Sequence, residues 1–182
     1  NSIKSNSFRA SSEIEVSDVY IICVPTPFKS NDNPKPDLKY VNSAVDSISK
    51  IIKPNDLIIL ESTSPVGTTL SIKENFESKN INLDKINISY CPERVLPGKT
   101  INELIYNDRV VGGINNKSTD EAYKFYKSFV KGDIRRTDSK TAEMCKLIEN
   151  SYRDTNLAFA NEVSIICENQ GINVWELIDL AN

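Results

Sequence analysis

Lys146, Asn150 and Arg153 stand at helical spacing in the stretch TAEMCKLIENSYRDTNLAFANE, residues 141–162. At about 100° per residue their side chains fall within one narrow wedge of a helix. Two cations and an amide aimed one way can steady negative charge that develops on a reacting oxygen, and can hold a polar substrate. The opposite arc carries Met144, Cys145, Leu147, Ile148, Tyr152 and Phe159, the face a core would take. Further along the polar wedge come Leu157 and Ala160, so that face too is expected to be covered. A solvated helix face is the plainer account of such a stripe, and the case for chemistry rests on what lies upstream.

Upstream, three apolar runs each end in a distinctive turn: VPTP at 24–27, ESTSPVGTT at 61–69 and CPERVLPG at 91–98. Thr26 and Thr63 offer hydroxyls, while Glu93 and Arg94 offer a carboxylate and a forked donor. Each turn alone is ordinary turn chemistry. Together they carry weight, because ligands of open parallel sheets bind beyond the carboxyl ends of the strands.

The elements that must position these residues follow from the hydrophobic pattern. Short apolar runs predict strands over 19–24, 57–60, 86–90, 109–114 and 133–137, with helices over 38–52, 68–79, 100–106 and 119–131 between them. This alternation predicts an α/β fold, a partial Rossmann-like parallel sheet, wound on both faces and followed by a long central helix. Ser139 is expected to cap that helix, which reaches about residue 169 and is roughly 45 Å long. A helix of that length suits a spine between domains or a dimer seam. Gly171 ends it, and 174–180 opens a further apolar segment. Gly112 and Gly113 lack the spacing of a dinucleotide fingerprint and are read as a turn.

Bulk composition narrows the function classes. The 182 residues carry a net charge of -3 with no histidine, which gives no basic footprint for nucleic acid or an anionic membrane. The most basic stretch, 127–136, is flanked by acids and reads as solvated surface. No apolar run approaches a membrane span and no signal-peptide layout opens the chain, so a soluble cytoplasmic protein is expected. Cysteines 23, 91, 145 and 167 form no CxxC pair, so no metal site is expected and the thiols are read as buried and reduced. Without histidine, proton transfer falls to Lys, Glu or water.

VPTP, STSPVGTT, YCPERVLPGK, RVVGG and AEMCKLIENSYRDTNLAFANE, in this order, resemble the UDP-glucose/GDP-mannose dehydrogenase family, and within it the branch acting on UDP-N-acetyl-D-mannosamine. The likeness runs from Asp18 to Asn182. It implies NAD-dependent oxidation of C6 of a UDP-N-acetylhexosamine to the uronic acid, with two hydride transfers and a thioester on a cysteine. By that resemblance Lys146 moves the proton and steadies the oxyanion, and Asn150 bonds the same centre. Glu93 orders water, Arg94, Val95 and Arg153 hold the sugar nucleotide, and Thr26 and Thr63 touch NAD. It also implies a later part of the NAD-binding domain at 1–138, a truncated central domain at 139–182, and a homodimer through the central helix. The family's glycine-rich cofactor turn and its cysteine are expected before residue 1 and after residue 182. Two readings stand beside this one: a single-step 6-phosphogluconate-type dehydrogenase, in which PERVLPG has no place, and a non-catalytic nucleotide-binding or dimerising fragment.

Overall fold

The structure, a computed structural model, describes residues 8–30, 34–95 and 98–181. Part of the polar opening stretch, Leu96 and Pro97 of PERVLPG, and Asn182 lie outside the described residues. The chain divides into two compact units, 1–144 and 145–182.

The first unit is built on five strands: β1 (Val19–Ile22), β2 (Leu57–Leu60), β3 (Asn87–Tyr90), β4 (Arg109–Gly113) and β5 (Ile134–Asp138). They lie side by side in chain order, with β1, β2 and β3 mutually parallel. Four helices connect them: α1 (Lys39–Ile48), α2 (Thr68–Ser78), α3 (Thr100–Tyr106) and α4 (Asn116–Lys127). Strands buried on both faces read as unbroken apolar runs, and LIIL of β2 is of that kind, with all four residues buried. Alternate residues then serve opposite layers. Ile58 and Leu60 join Val41, Val45, Ile72 and Phe76 under α1 and α2, whereas Leu57 and Ile59 join Val111, Ala122 and Tyr126 under α4. Helices therefore cover both faces, as the alternation predicts.

Two strands run against expectation. β4 pairs antiparallel to β3, over Ser89↔Gly113 and Tyr90↔Gly112, while β5 is parallel to β4. The connection between β3 and β4, 91–108, carries the 7-residue α3, which advances only about 10 Å, and the chain re-enters the sheet from the end at which it left. The 12-residue α4 then leads to a parallel step from β4 to β5.

Gly112 and Gly113 are not a turn: they are the last residues of β4 and fully buried. A Cβ on Gly112 would lie 2.2 Å from the carbonyl oxygen of Asp138 and 2.8 Å from Cβ of Ala142, and one on Gly113 would lie 2.4 Å from the amide of Thr119. These glycines let the starts of two helices close onto the strand. Ser139 is not the cap either. It is the first residue of α5 (Ser139–Gln170), and Asp138 before it accepts from the Thr141 amide at 3.0 Å and the Thr141 hydroxyl at 2.6 Å. The shorter Ser reading fails because the carboxylate one residue earlier reaches the same orphan donor. Those bonds, the hydroxyl's first, hold the Asp138 carboxyl below its usual range. The stabilisation is thus present above the ordinary carboxylate pKa and lost as pH falls through the lowered one. Asp138→Ala is expected to lower stability by about 1 kcal/mol at neutral pH, with a smaller difference from wild type in acid, read by urea unfolding at several pH values.

In the second unit α5 continues to Gln170. Gly171 ends it in the left-handed region at φ +68°, with its N–H bonded to Glu168 O at 3.2 Å, and α6 (Val174–Ala181) follows. The arc expected to form a core does not: Met144, Ile148, Tyr152 and Phe159 are exposed, Tyr152 at 73% and Phe159 at 70%. Leu157 and Ala160 on the other side are exposed as well. The apolar pattern records a face suited to burial, and among the described residues nothing covers it. Among the described residues no helix is long and apolar enough to cross a membrane.

Candidate functional site

The carboxyl ends of β1, β2 and β3 form one edge of the sheet, and a cleft of about 240 Å³ opens there, lined by Cys23, Val24, Glu61, Ser62, Thr63 and Glu93. All three turns singled out from the sequence contribute or adjoin. The edge is laced together by its own small side chains. The Ser62 hydroxyl accepts from the Val24 amide at 2.8 Å and donates to the Val24 carbonyl at 2.8 Å, and the Thr26 hydroxyl donates to the Thr63 carbonyl at 2.6 Å. Thr26 and Thr63 are therefore neighbours, and both are half-buried. The Thr26 hydroxyl is spent on holding the Thr63 backbone, which leaves Thr63 itself as the residue on the cleft wall.

Glu93, Arg94 and Val95 follow β3 and are half-buried. The Val95 amide donates to the Glu93 carboxylate, which fixes that side chain against its own backbone. Asn107, just after α3, donates its Nδ2 to the Arg94 carbonyl at 3.1 Å. Asn107 escaped the sequence reading because its partner lies on a segment of irregular backbone with no periodicity to reveal the contact.

Behind the cleft lies a buried polar group that sequence reasoning also missed. The Glu61 carboxylate accepts from the Tyr126 hydroxyl at 2.5 Å, and Arg109 Nη1 lies 3.8 Å from the same oxygen, Oε1. Arg109 is buried, bonds the Leu104 carbonyl through Nη2 at 3.2 Å, and stacks 4.7 Å above the Tyr126 ring. Burial, and then the neighbouring Cys91 and Glu61, push the Tyr126 phenol far up, so it stays neutral and donates. A lone acid closing an apolar strand was the available signal for this group.

The cysteines divide. Cys91 and Cys167 are buried as expected, Cys145 is half-buried, and Cys23 is exposed at the cleft. Cys23 opens to solvent because it follows β1 on the edge instead of ending inside the sheet. Desolvation around its sulfur, with the charges of Glu61 and then Glu93, pushes the Cys23 thiol up to about 12, and burial pushes Cys91 up to about 11. Both are held as thiols, poor nucleophiles. Among the described residues no group of His, Cys, Asp and Glu is arranged to hold a metal ion.

Lys146, Asn150 and Arg153 all belong to α5, within the second unit. Lys146 and Asn150 are half-buried and Arg153 is exposed. Three residues before Lys146, Glu143 is fully buried, its carboxylate accepting from the Gly67 amide at 2.6 Å and from the Thr69 amide and hydroxyl at 2.7 Å each. Gly67, at φ +99°, precedes α2. An acid there satisfies free N–H groups and complements the positive end of the helix dipole.

A larger hollow of about 530 Å³ lies at the carboxyl ends of β4 and β5, lined by Gly113, Asn115, Asp120, Arg136 and Asp138 among others. Its polar groups already serve one another. Asn115 caps α4 through the Ser118 amide, and Arg136 pairs with Asp120 at 3.0 Å. Size alone does not make it the site.

Comparison with known proteins decides the family. Residues 2–130 match the model of the UDP-glucose/GDP-mannose dehydrogenase family, NAD binding domain, and residues 140–182 match its central domain. The chain belongs to the UDP-glucose/GDP-mannose dehydrogenase family. It is 51% identical over 177 residues to a UDP-N-acetyl-D-mannosamine dehydrogenase of Yersinia pestis, covering 92% of this chain and 42% of that protein. An NDP-N-acetyl-D-galactosaminuronic acid dehydrogenase of Ralstonia nicotianae is 46% identical, over 96% of this chain and 43% of that one. Among solved structures, the UDP-N-acetyl-mannosamine dehydrogenase Cap5O from Staphylococcus aureus superimposes with a TM-score of 0.90 at 41% identity, covering 99% of this chain and 44% of that one. The chain thus spans about two-fifths of the length of the family members it matches.

Proposed function

We propose that this chain is the later part of the NAD-binding domain, 1–138, and the start of the central domain, 139–182, of an NAD-dependent dehydrogenase that oxidises C6 of UDP-N-acetyl-D-mannosamine to the uronic acid in two hydride transfers. The observation that carries the reading is the 51% identity with a protein of that name over 92% of the chain.

The cleft is compatible with the cofactor. It lies where dinucleotides bind in open parallel sheets, and a wall of hydroxyls, backbone groups and carboxylates suits a polar ring with positive charge. At about 240 Å³ it suits one half of a dinucleotide and not the whole. NAD+, when bound, supplies the hydride acceptor. Thr63 would touch it from the β2 turn, and Thr26 would act by holding the Thr63 backbone.

The remaining roles fall to side chains whose chemistry fits them. The Lys146 ammonium takes part in proton transfer and stabilises the oxyanion, and Asn150, one turn on, hydrogen-bonds the same centre or its water. Glu93, fixed by the Val95 amide, orders the hydrolytic water. Arg94, Val95 and Arg153 hold the sugar nucleotide. The thioester step requires a reactive thiolate, which neither Cys23 nor Cys91 provides. The exposed apolar arc of α5, with Ile148, Tyr152 and Phe159, supports a homodimer built on that helix, and a UDP-sugar substrate with NAD+ fits a cytoplasmic enzyme.

The test is stoichiometric. The purified full-length protein, given UDP-N-acetyl-D-mannosamine and excess NAD+, should form two NADH for each sugar consumed and release a UDP-uronic acid. One NADH per sugar would favour a single-step dehydrogenase of the 6-phosphogluconate type, and none with any UDP-N-acetylhexosamine would favour a non-catalytic protein.

A further inference from the structure

We propose that Glu61 sets the redox preference of the cofactor cleft, making it hold oxidised NAD+ more tightly than NADH. The proposal rests on the reading that this cleft receives the nicotinamide end of the cofactor, the half opposite the glycine-rich turn.

The geometry gives the Glu61 carboxylate two sides. Oε1 takes both buried partners, the Tyr126 hydroxyl and Arg109 Nη1. Oε2 is left with the Cys23 thiol, which donates to it at 3.4 Å. Cys23 and Glu61 line the cleft, and neither Arg109 nor Tyr126 does. Arg109 is kept back by its bond to the Leu104 carbonyl and its stack on Tyr126. The ion pair is therefore a fixed dipole whose positive end is inside the sheet and whose negative end is at the cleft. Cys23, held as a thiol, is neutral, and Glu93 on the same wall is a second carboxylate.

The two forms of the cofactor differ in charge at one place. The oxidised nicotinamide ring carries a positive charge and the reduced ring is neutral, while the rest of the dinucleotide is unchanged. A half-buried carboxylate held in place discriminates between them, because a fixed charge in a partly desolvated wall acts far more strongly than one in water. A dehydrogenase that makes two successive hydride transfers must exchange NADH for NAD+ between them, and a cleft that favours the oxidised form drives that exchange in the needed direction.

The test is calorimetric titration of the full-length protein with NAD+ and with NADH separately. Glu61→Gln keeps an acceptor for Tyr126 and removes the charge. It should raise the Kd for NAD+ by about tenfold and leave that for NADH within about twofold. Because Glu61→Gln also strands the buried Arg109 charge, the double variant Glu61→Gln, Arg109→Met is measured beside it. Removing both charges of a buried ion pair with side chains of like volume is commonly tolerated, so the double variant should fold, and it should lose the same preference. Equal weakening of both forms, or no change in their ratio in the double variant, overturns the proposal. If the wild-type protein binds neither form, the reading of the cleft fails and the role of Glu61 with it. If the wild type binds both and the ratio does not move, the reading stands and the role of Glu61 is wrong.

Discussion

Lys146→Ala in the full-length enzyme is expected to lower kcat by about 10² to 10³ while changing KM far less. An ammonium aimed at charge that exists only during reaction stabilises the transition state more than the bound substrate, so its loss appears in kcat. Arg153→Ala should act chiefly on KM, since the substrate group it would hold is polar throughout. Its exposure on α5 fits a role in capture. Asn150 should fall between the two in its effect on kcat. Steady-state kinetics on the three variants, with circular dichroism to confirm folding, is the measurement. Near-normal kcat in Lys146→Ala would return the stripe to a solvated helix face.

Glu143→Leu is expected to be among the most destabilising single substitutions in this chain. Three donors, the half-buried amide of Gly67 and the buried amide and hydroxyl of Thr69, converge on this one carboxylate. Leucine fills the volume and accepts from none of them. Each orphaned buried donor costs about 1–3 kcal/mol, so the loss should reach about 3 kcal/mol or more. Glu143→Gln should cost less, about 1–3 kcal/mol, because the amide oxygen still accepts while the NH2 faces a donor. Denaturant unfolding gives the ranking. A Leu variant as stable as wild type would show that the contact contributes nothing net.

The elements that announced themselves were those whose burial is local. The run LIIL names β2 by composition alone, and TINELIY gives α3 to the residue, 100–106 as expected from the sequence. What stayed hidden depended on distances along the chain. The direction of β4 depends on which end of the sheet the chain re-enters after α3, which no periodicity states. The same holds at the site. Thr63 and Glu93 were placed on one edge because each ends a strand, and both line the cleft. The partners that hold the edge in shape, Arg109 for Glu61 and Asn107 for Arg94, come from strand and loop segments that meet them only once the sheet has formed. The apolar arc of α5 shows the converse error. Its pattern reads correctly as a face that wants burial, but a pattern cannot say whether this chain supplies the cover.

The five strands are neighbours in the order in which they occur along the chain, and this bears on how the molecule comes into being. During synthesis, each strand from β2 onward finds its pairing partner already made, one connection upstream. Among the described strands each pairing closes a single connection, so no step waits for a strand made later in the chain. Topologies with such local pairing fold faster than those joined by distant segments. The strands β1 to β5 can accordingly be added one after another in the order in which they are made.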